Sequence, residues 1–254
     1  MTERGALGMD DDKLVRVDGR TEAGFRHRFR NLLSLVGPRR LEFGVELLLR
    51  RGRQRAAREG VSLPHGLASL YEDTRRRVKR RLEVTGCQWG TPPWGRFTAA
   101  DPPRLLCDPS LHGLARWLRA AGYEASLSSG TRGHRLPDEA HRRGLVLLTT
   151  ETEVLERRLV TKGDLVVCWV PSAIGMSEQL LMVMGELGLS LREPRCMACG
   201  GELVPTPKDA VQSRIPPRTA RWKDEYFVCA GCDRLFWQGT HWERIEKTLQ
   251  AAAS

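Results

Sequence analysis

The chain has 254 residues, 41% of them apolar, and a net charge of +10. That length holds one large domain or two small ones with a real core, and no apolar run approaches the roughly 18 residues that cross a bilayer. The start, MTERGALGMDDDKLVRVDG, carries no apolar stretch of the secretory kind, so an intracellular protein, cytoplasmic or nuclear rather than secreted, is expected.

Residues 1–21 lack apolar periodicity and are expected to be disordered. Residues 22–84 form a basic helical region. Phe25, Phe29, Leu32, Leu33 and Val36 recur at helical spacing, Gly37-Pro38 ends that segment, and Leu41 to Arg58 reads as a second helix. A third helix over residues 66–83 carries Arg75, Arg76, Arg77, Lys79, Arg80 and Arg81. Six basic residues in seven positions cannot share one face, so they form a collar that either contacts nucleic acid or is simply solvated. Residues 1–100 hold 21 basic and 12 acidic side chains, against 20 and 19 in the remainder. The charge excess is therefore N-terminal, a distribution that suits a nucleic-acid binder. Residues 85–103, TGCQWGTPPWGRFTAADPP, read as a linker whose Trp89, Trp94 and Phe97 either dock on a neighbouring domain or stack on bases.

From residue 104 to 191 strands and helices alternate. A short apolar run ends at Cys107-Asp108-Pro109; an amphipathic helix follows over 110–121 and is ended by Gly122. A strand over 123–127, a helix over 137–143, the buried strand Leu145 to Thr150, a helix over 154–160, a strand over 165–170 and a helix over 177–187 complete the series. This order specifies an α/β fold with a mostly parallel, doubly wound sheet.

Open parallel sheets bind ligands outside the carboxyl ends of their strands. Asp108 and Glu151 stand at two such ends, and Asp138 and Glu139 start the intervening helix. Carboxylates converging on one cleft need a cation, and Mg²⁺ or Mn²⁺ suits oxygen ligands. Such a site would activate water for phosphodiester hydrolysis. Each acid also has a structural reading: Asp108 as a helix N-cap, Glu151 as an exposed loop acid, Asp138 as a helix-start residue favoured by the dipole. Opposite the apolar stripe of the 110–121 helix lie His112, Arg116 and Arg119. The two arginines either hold phosphates of a bound strand or are ordinary solvated side chains.

Seven cysteines, an odd number, argue against a disulfide framework. Cys196-Met197-Ala198-Cys199 and Cys229-Ala230-Gly231-Cys232 are two CxxC knuckles with 29 residues between them. Two such turns place four thiolates around one Zn²⁺, which fills its coordination and makes the ion structural. A redox dithiol is the rival reading, and two matched pairs disfavour it. Residues 203–220, with Pro205, Pro207, Pro216 and Pro217, read as an extended loop, and His241 as a packed or surface residue rather than a ligand.

The segments LLCDPSLHGLARWLRAAGYEA, GLVLLTTETEVLERR, SEQLLMVMGELGL, RCMACGGEL, RIPPR and FVCAGCDRLFWQGTHWERI occur in this order over residues 104–248. They resemble the C-terminal RNase domain of exonuclease mut-7 homologues, a PIN-like nuclease fused to a zinc ribbon. The resemblance implies a PIN-like three-layer α/β/α domain over 104–191, a zinc ribbon over 192–248, and metal-dependent RNA cleavage. It makes Asp108 the first metal-binding carboxylate, puts Glu151 where the family's LLTRD motif has aspartate, and puts Asp138 in the segment with an acidic helix start. Full-length homologues carry an exonuclease domain upstream, whose acidic motifs residues 1–100 lack, so the chain resembles an isoform, fragment or truncated paralogue. Two functions are carried forward. One is a ribonuclease acting on single-stranded RNA through Asp108, Asp138 and Glu151. The other is a non-catalytic RNA-binding or adaptor protein with a degenerate site. Protein partners would meet the zinc ribbon or the N-terminal helices.

Overall fold

The computed structural model describes residues 7–85, 97, 98, 100–128, 135–237, 246–248 and 250. Three helices open it: α1 (Leu7–Ser34), α2 (Leu41–Glu59) and α3 (Leu63–Thr85). Helix α1 starts at Leu7, so most of the segment expected to be disordered is helical. Nucleation is the costly step of helix formation, and a docked segment from residue 21 onward supplies the nucleus from which polar turns propagate. Gly60 ends α2 at φ 64°, a left-handed conformation open to glycine without strain, and its N–H donates to the Ala56 carbonyl.

The second unit is a four-stranded parallel sheet in the order β2-β1-β3-β4, from β1 (Leu105–Cys107), β2 (Ala125–Leu127), β3 (Val146–Thr149) and β4 (Val167–Trp169). Strands β1 and β3 are buried at every position, which is why they read as continuous apolar runs. Helices α4 (His112–Ala120), α5 (Leu136–Arg142), α6 (Arg158–Thr161) and α7 (Met176–Leu187) connect or follow the strands. The helix expected over 154–160 is broken: a 3-10 turn over Thr152–Glu156 meets the single turn of α6 at Arg157, whose extended backbone (ψ 142°) ends one and starts the other.

The third unit is an antiparallel sheet in the order β5-β6-β7, from β5 (Leu203–Thr206), β6 (Tyr226–Cys229) and β7 (Leu235–Trp237). Its connection is not the extended loop expected over 203–220. Short helices α8 (Lys208–Val211) and α9 (Pro217–Ala220) lie in it, with Val211 and Ile215 buried beside Tyr226.

The helical region and the parallel sheet share one core. Phe25, Phe29 and Tyr71 are buried together with Trp169, Ile174 and Met182. The Phe25 and Trp169 rings meet edge to face at 5.5 Å, and a Cβ on Gly24 would lie 2.4 Å from the indole. Inside this contact Arg28 is 1% exposed; it pairs with Glu186, donates to the Trp169 carbonyl at 2.5 Å and lies 4.6 Å above the Tyr71 ring. Burial works against the Arg28 charge, yet the facing Glu186 carboxylate outweighs it and raises the guanidinium pKa. Of the linker aromatics, Phe97 packs against the sheet core; Trp89 and Trp94 lie outside the described residues.

Candidate functional site

Strand β1 is flanked by β2 on one side and β3 on the other, so the chain's order reverses between β1 and β3. A crevice at such a switch point is where an open α/β sheet receives a ligand. Asp108 follows β1 there and is 3% exposed. Its Oδ1 accepts from the Ser110 N–H (2.9 Å) and from the Ser110 hydroxyl. Its Oδ2 accepts from the Thr150 N–H (2.6 Å) and lies 3.2 Å from the Thr150 hydroxyl. Asp108 therefore caps the 3-10 turn over Pro109–Leu111, one of its two sequence readings, and also clasps the end of β3. The two hydroxyls, 3.1 Å apart, stand at the rim of the same crevice. Neither Ser110 nor Thr150 was singled out in the sequence, although both sit in the strand-end motifs.

The other acids are arranged less tightly. Glu151 is exposed at the next position along from Thr150, and its N–H donates to the Thr149 hydroxyl at 3.1 Å. At the start of α5, Asp138 turns to solvent while Glu139 is half-buried. Glu139 Oε2 accepts from the Ser128 hydroxyl (3.3 Å), and Ser128 follows β2, its N–H donating to the Cys107 carbonyl. It is thus Glu139, not Asp138, that reaches the strand ends. Among the described residues Asp108, Asp138 and Glu151 do not form a group with ligand atoms within 4.8 Å of one another. The oxygens that do converge are the Asp108 carboxylate and the Ser110 and Thr150 hydroxyls. They are hard donors suited to Mg²⁺ or Mn²⁺, and Mg²⁺ typically binds through one or two carboxylates while keeping several waters. Buried Cys107, next to Asp108, is pushed up to about 12 by desolvation and the neighbouring carboxylate, so it stays a thiol.

The two knuckles meet as the spacing required. Cys196, Cys199, Cys229 and Cys232 place their sulfurs within 4.8 Å of one another. The Cys196–Cys232 and Cys199–Cys229 separations are 3.6 and 3.4 Å, far beyond a disulfide bond of about 2.05 Å. Four sulfurs about 2.3 Å from one ion stand about 3.8 Å apart in a tetrahedron, so the set fits Zn²⁺. Desolvation opposes ionisation at Cys229, but the N–H groups of Cys232 and Gly231 aimed at its sulfur draw it down, while the neighbouring thiols hold Cys199 and Cys232 up, so the cluster shares its charge.

Arg119 departs from both readings of it. It is 6% exposed, and its guanidinium donates to the carbonyls of Ala125 (2.7 Å), Ala198 (2.8 Å) and Met197 (3.1 Å). It pins the first cysteine knuckle to the foot of α4 and is neither solvated nor free for a phosphate. The reason is its position in the last turn of α4, where the chain returns antiparallel: the Arg195 N–H donates to the Arg119 carbonyl at 2.9 Å. Arg116, one turn earlier, is exposed. The basic collar of α3 faces elsewhere. His65 lies 3.2 Å from Glu178, and Arg75 donates to the Gly185 carbonyl at 3.0 Å. Helix α3 thus runs alongside α7 in the same direction, and residues 76–81 end up toward the amino ends of the strands, away from Asp108.

No helix among the described residues is long and apolar enough to cross a membrane. No curated protein and no solved structure matches the chain significantly. The family model described as the Mut7-C RNAse domain matches residues 103–249, a span that takes in the parallel sheet, the Asp108 crevice and both cysteine knuckles and exceeds half of the chain, which therefore belongs to that family.

Proposed function

We propose that the protein is a metal-dependent ribonuclease hydrolysing phosphodiester bonds in single-stranded RNA at the crevice between β1 and β3. The observation that carries this reading is the buried Asp108 carboxylate at the switch point, held by Ser110 and Thr150 in a chain of an RNase family. Asp108 and Glu151 would hold Mg²⁺ or Mn²⁺, with the acid from α5 completing the charge: Asp138 by family position, Glu139 by reach. Bound there, the ion would supply Lewis acidity to a phosphate and lower the cost of deprotonating water. The chain's own part is placement: Asp108 is fixed by four donors, and the Ser110 and Thr150 hydroxyls can rotate to donate or accept as charge develops. Residues 104–191 would be the catalytic unit and 192–248 a zinc ribbon whose Zn²⁺, with four thiolates and no open position, is architectural.

A second reading, an RNA-binding protein without turnover, draws on one feature. All four acceptor positions of Asp108 are engaged by Ser110 and Thr150, and the acid that follows β3, Glu151, stands in solvent. Incubating single-stranded RNA with Mn²⁺ and wild-type or Asp108→Asn protein separates the two. Asparagine still caps the turn but sets its NH2 against the Thr150 N–H, so circular dichroism and a urea midpoint of the variant accompany the assay. The ribonuclease reading expects cleavage by wild type alone; binding without cleavage by either protein supports the second reading instead.

A further inference from the structure

A groove of about 1110 Å³ runs between α4 and the open face of the β5-β6-β7 sheet. Its volume is at the upper end of the roughly 300–1,000 Å³ of ligand sites. Its lining takes in Met197 and Ala198, the knuckle clasped by Arg119 at the foot of α4. It also takes in His112 and Leu127, which begin α4 and end β2 at the carboxyl edge that carries Asp108. The groove therefore borders both the cysteine module and the sheet edge on which the crevice lies.

Its walls have a definite chemistry. Phe227 and Phe236 are register partners across β6 and β7, so their side chains share one face of the sheet. The opposite face, with Tyr226, Val228, Leu235 and Trp237, is packed on Val211 and Ile215. The two phenylalanines are only half-buried, leaving ring surface in the groove. Of the five arginines that line it, Arg119 and Arg195 are tied to backbone carbonyls; Glu193 and Glu246 are its two acids. Arg116 and Arg234 are exposed, and neither makes an ion pair among the described residues. Aromatic rings flanked by arginines fit a polymer with flat bases and a repeating negative charge. A duplex offers no unstacked base to the rings.

We propose that this groove holds a single strand of RNA, with Phe227 and Phe236 stacking on bases and Arg116 and Arg234 on phosphates, and that it delivers the strand to the Asp108 crevice. The inference rests on the ribonuclease reading for its direction, but the binding it asserts is measurable without turnover.

The test uses the full chain, zinc-loaded, in the Asp108→Asn background with no Mg²⁺ or Mn²⁺ added, and a fluorescein-labelled single-stranded RNA 12-mer read by anisotropy. Phe236→Ala should weaken binding about 5- to 150-fold, and Phe236→Tyr should keep it, with zinc content confirming that the ribbon is intact in both. The double variant Arg116→Gln/Arg234→Gln should lose affinity and flatten the plot of log affinity against log salt by about 1.4, two phosphate contacts on a single strand. The collar variant Arg77→Gln/Lys79→Gln/Arg80→Gln should bind as its parent does. Unchanged binding in both groove variants, or loss confined to the collar variant, overturns the proposal. So does equal binding of the duplex form, or displacement by polyglutamate as effective as by RNA, which would mark the groove as a seat for an acidic protein. Groove-dependent binding with no cleavage by wild-type protein in Mn²⁺ would refute the ribonuclease reading and leave the groove standing.

Discussion

The buried pair Arg28–Glu186 joins the helical region to the parallel sheet, and its removal has a calculable cost. Both side chains are below a tenth exposed. In Arg28→Met the Glu186 carboxylate keeps, among the described residues, only the Cys168 thiol, 3.2 Å away, as a donor, and the Trp169 carbonyl loses a bond of its own. Breaking one side of a buried ion pair costs about 3–5 kcal/mol. Replacing both members with apolar residues of similar volume is often neutral or stabilising, so Arg28→Met/Glu186→Leu should fall within about 1–2 kcal/mol of wild type. The coupling energy from the double-mutant cycle is then about 2 kcal/mol or more. Urea unfolding followed by tryptophan fluorescence measures all four proteins, because Trp169 sits against Arg28. Costs that simply add in the double variant would refute the claim that this pair, rather than the surrounding aromatic packing, couples the two units. Separate transitions for the helical region and the parallel sheet in the zinc-loaded wild type would refute the shared core itself.

Arg119→Lys keeps the charge but cannot donate to three carbonyls in a planar fork; stability should drop by about 2–4 kcal/mol, and zinc release to a chromogenic chelator should quicken. Removing zinc with a strong chelator should unfold the β5-β6-β7 sheet while leaving far-ultraviolet helical signal from α1, α2 and α3, because metal binding and folding are coupled in such modules. His27 is drawn down to about 4 by desolvation and by Arg28 and Arg30. Below about pH 6.5 the unfolded chain takes up a proton that the folded His27 refuses until about pH 4, so stability is full above that window and falls through it. At pH 5 the loss should be on the order of 2 kcal/mol, and His27→Gln should remove most of the slope between pH 7 and 5 in urea midpoints.

Where the fold was legible, the reason was local. Continuous apolar runs ending in Asp108 and in Thr149-Thr150 are what fully buried parallel strands look like, and the paired CxxC knuckles declare their geometry in their spacing. What stayed hidden depends on contacts distant in sequence. Arg28 looks like one more charge on a basic helix, and only Glu186, 158 positions away, explains its burial. Arg119 shares a helix face with His112 and Arg116, but the knuckle that claims it arrives 78 residues later. The segment before residue 21 offered no apolar stripe, and its helix is an extension of a docked one. The N-cap and metal-ligand readings of Asp108 stand side by side in the sequence, and the structure displays the cap.

The acid supplied by α5 decides how far the family pattern carries over. Asp138 and Glu139 are adjacent, so one turn of helix cannot aim both at the crevice. Asp138 stands in solvent, and Glu139 turns inward, its Oε1 held by Arg143 at 2.9 Å and its Oε2 by Ser128 at 3.3 Å. Ser128 in turn hangs from the carbonyl of Cys107, one residue before Asp108, so Glu139 is linked to the β1 end by a short polar chain and Asp138 is not. If RNA is cleaved at this crevice, Glu139→Gln should lower kcat by more than tenfold, while Asp138→Asn, altering a solvated side chain, should change it less than twofold. Titrating Mn²⁺ against rate tells placement from chemistry: a shift in the Mn²⁺ half-saturation point in Glu139→Gln alone marks Glu139 as the acid felt by the ion. The reverse pattern, with Asp138→Asn the damaging change, would mean that α5 turns on binding RNA or metal and that the helix start, not the inward glutamate, carries the family's acidic position.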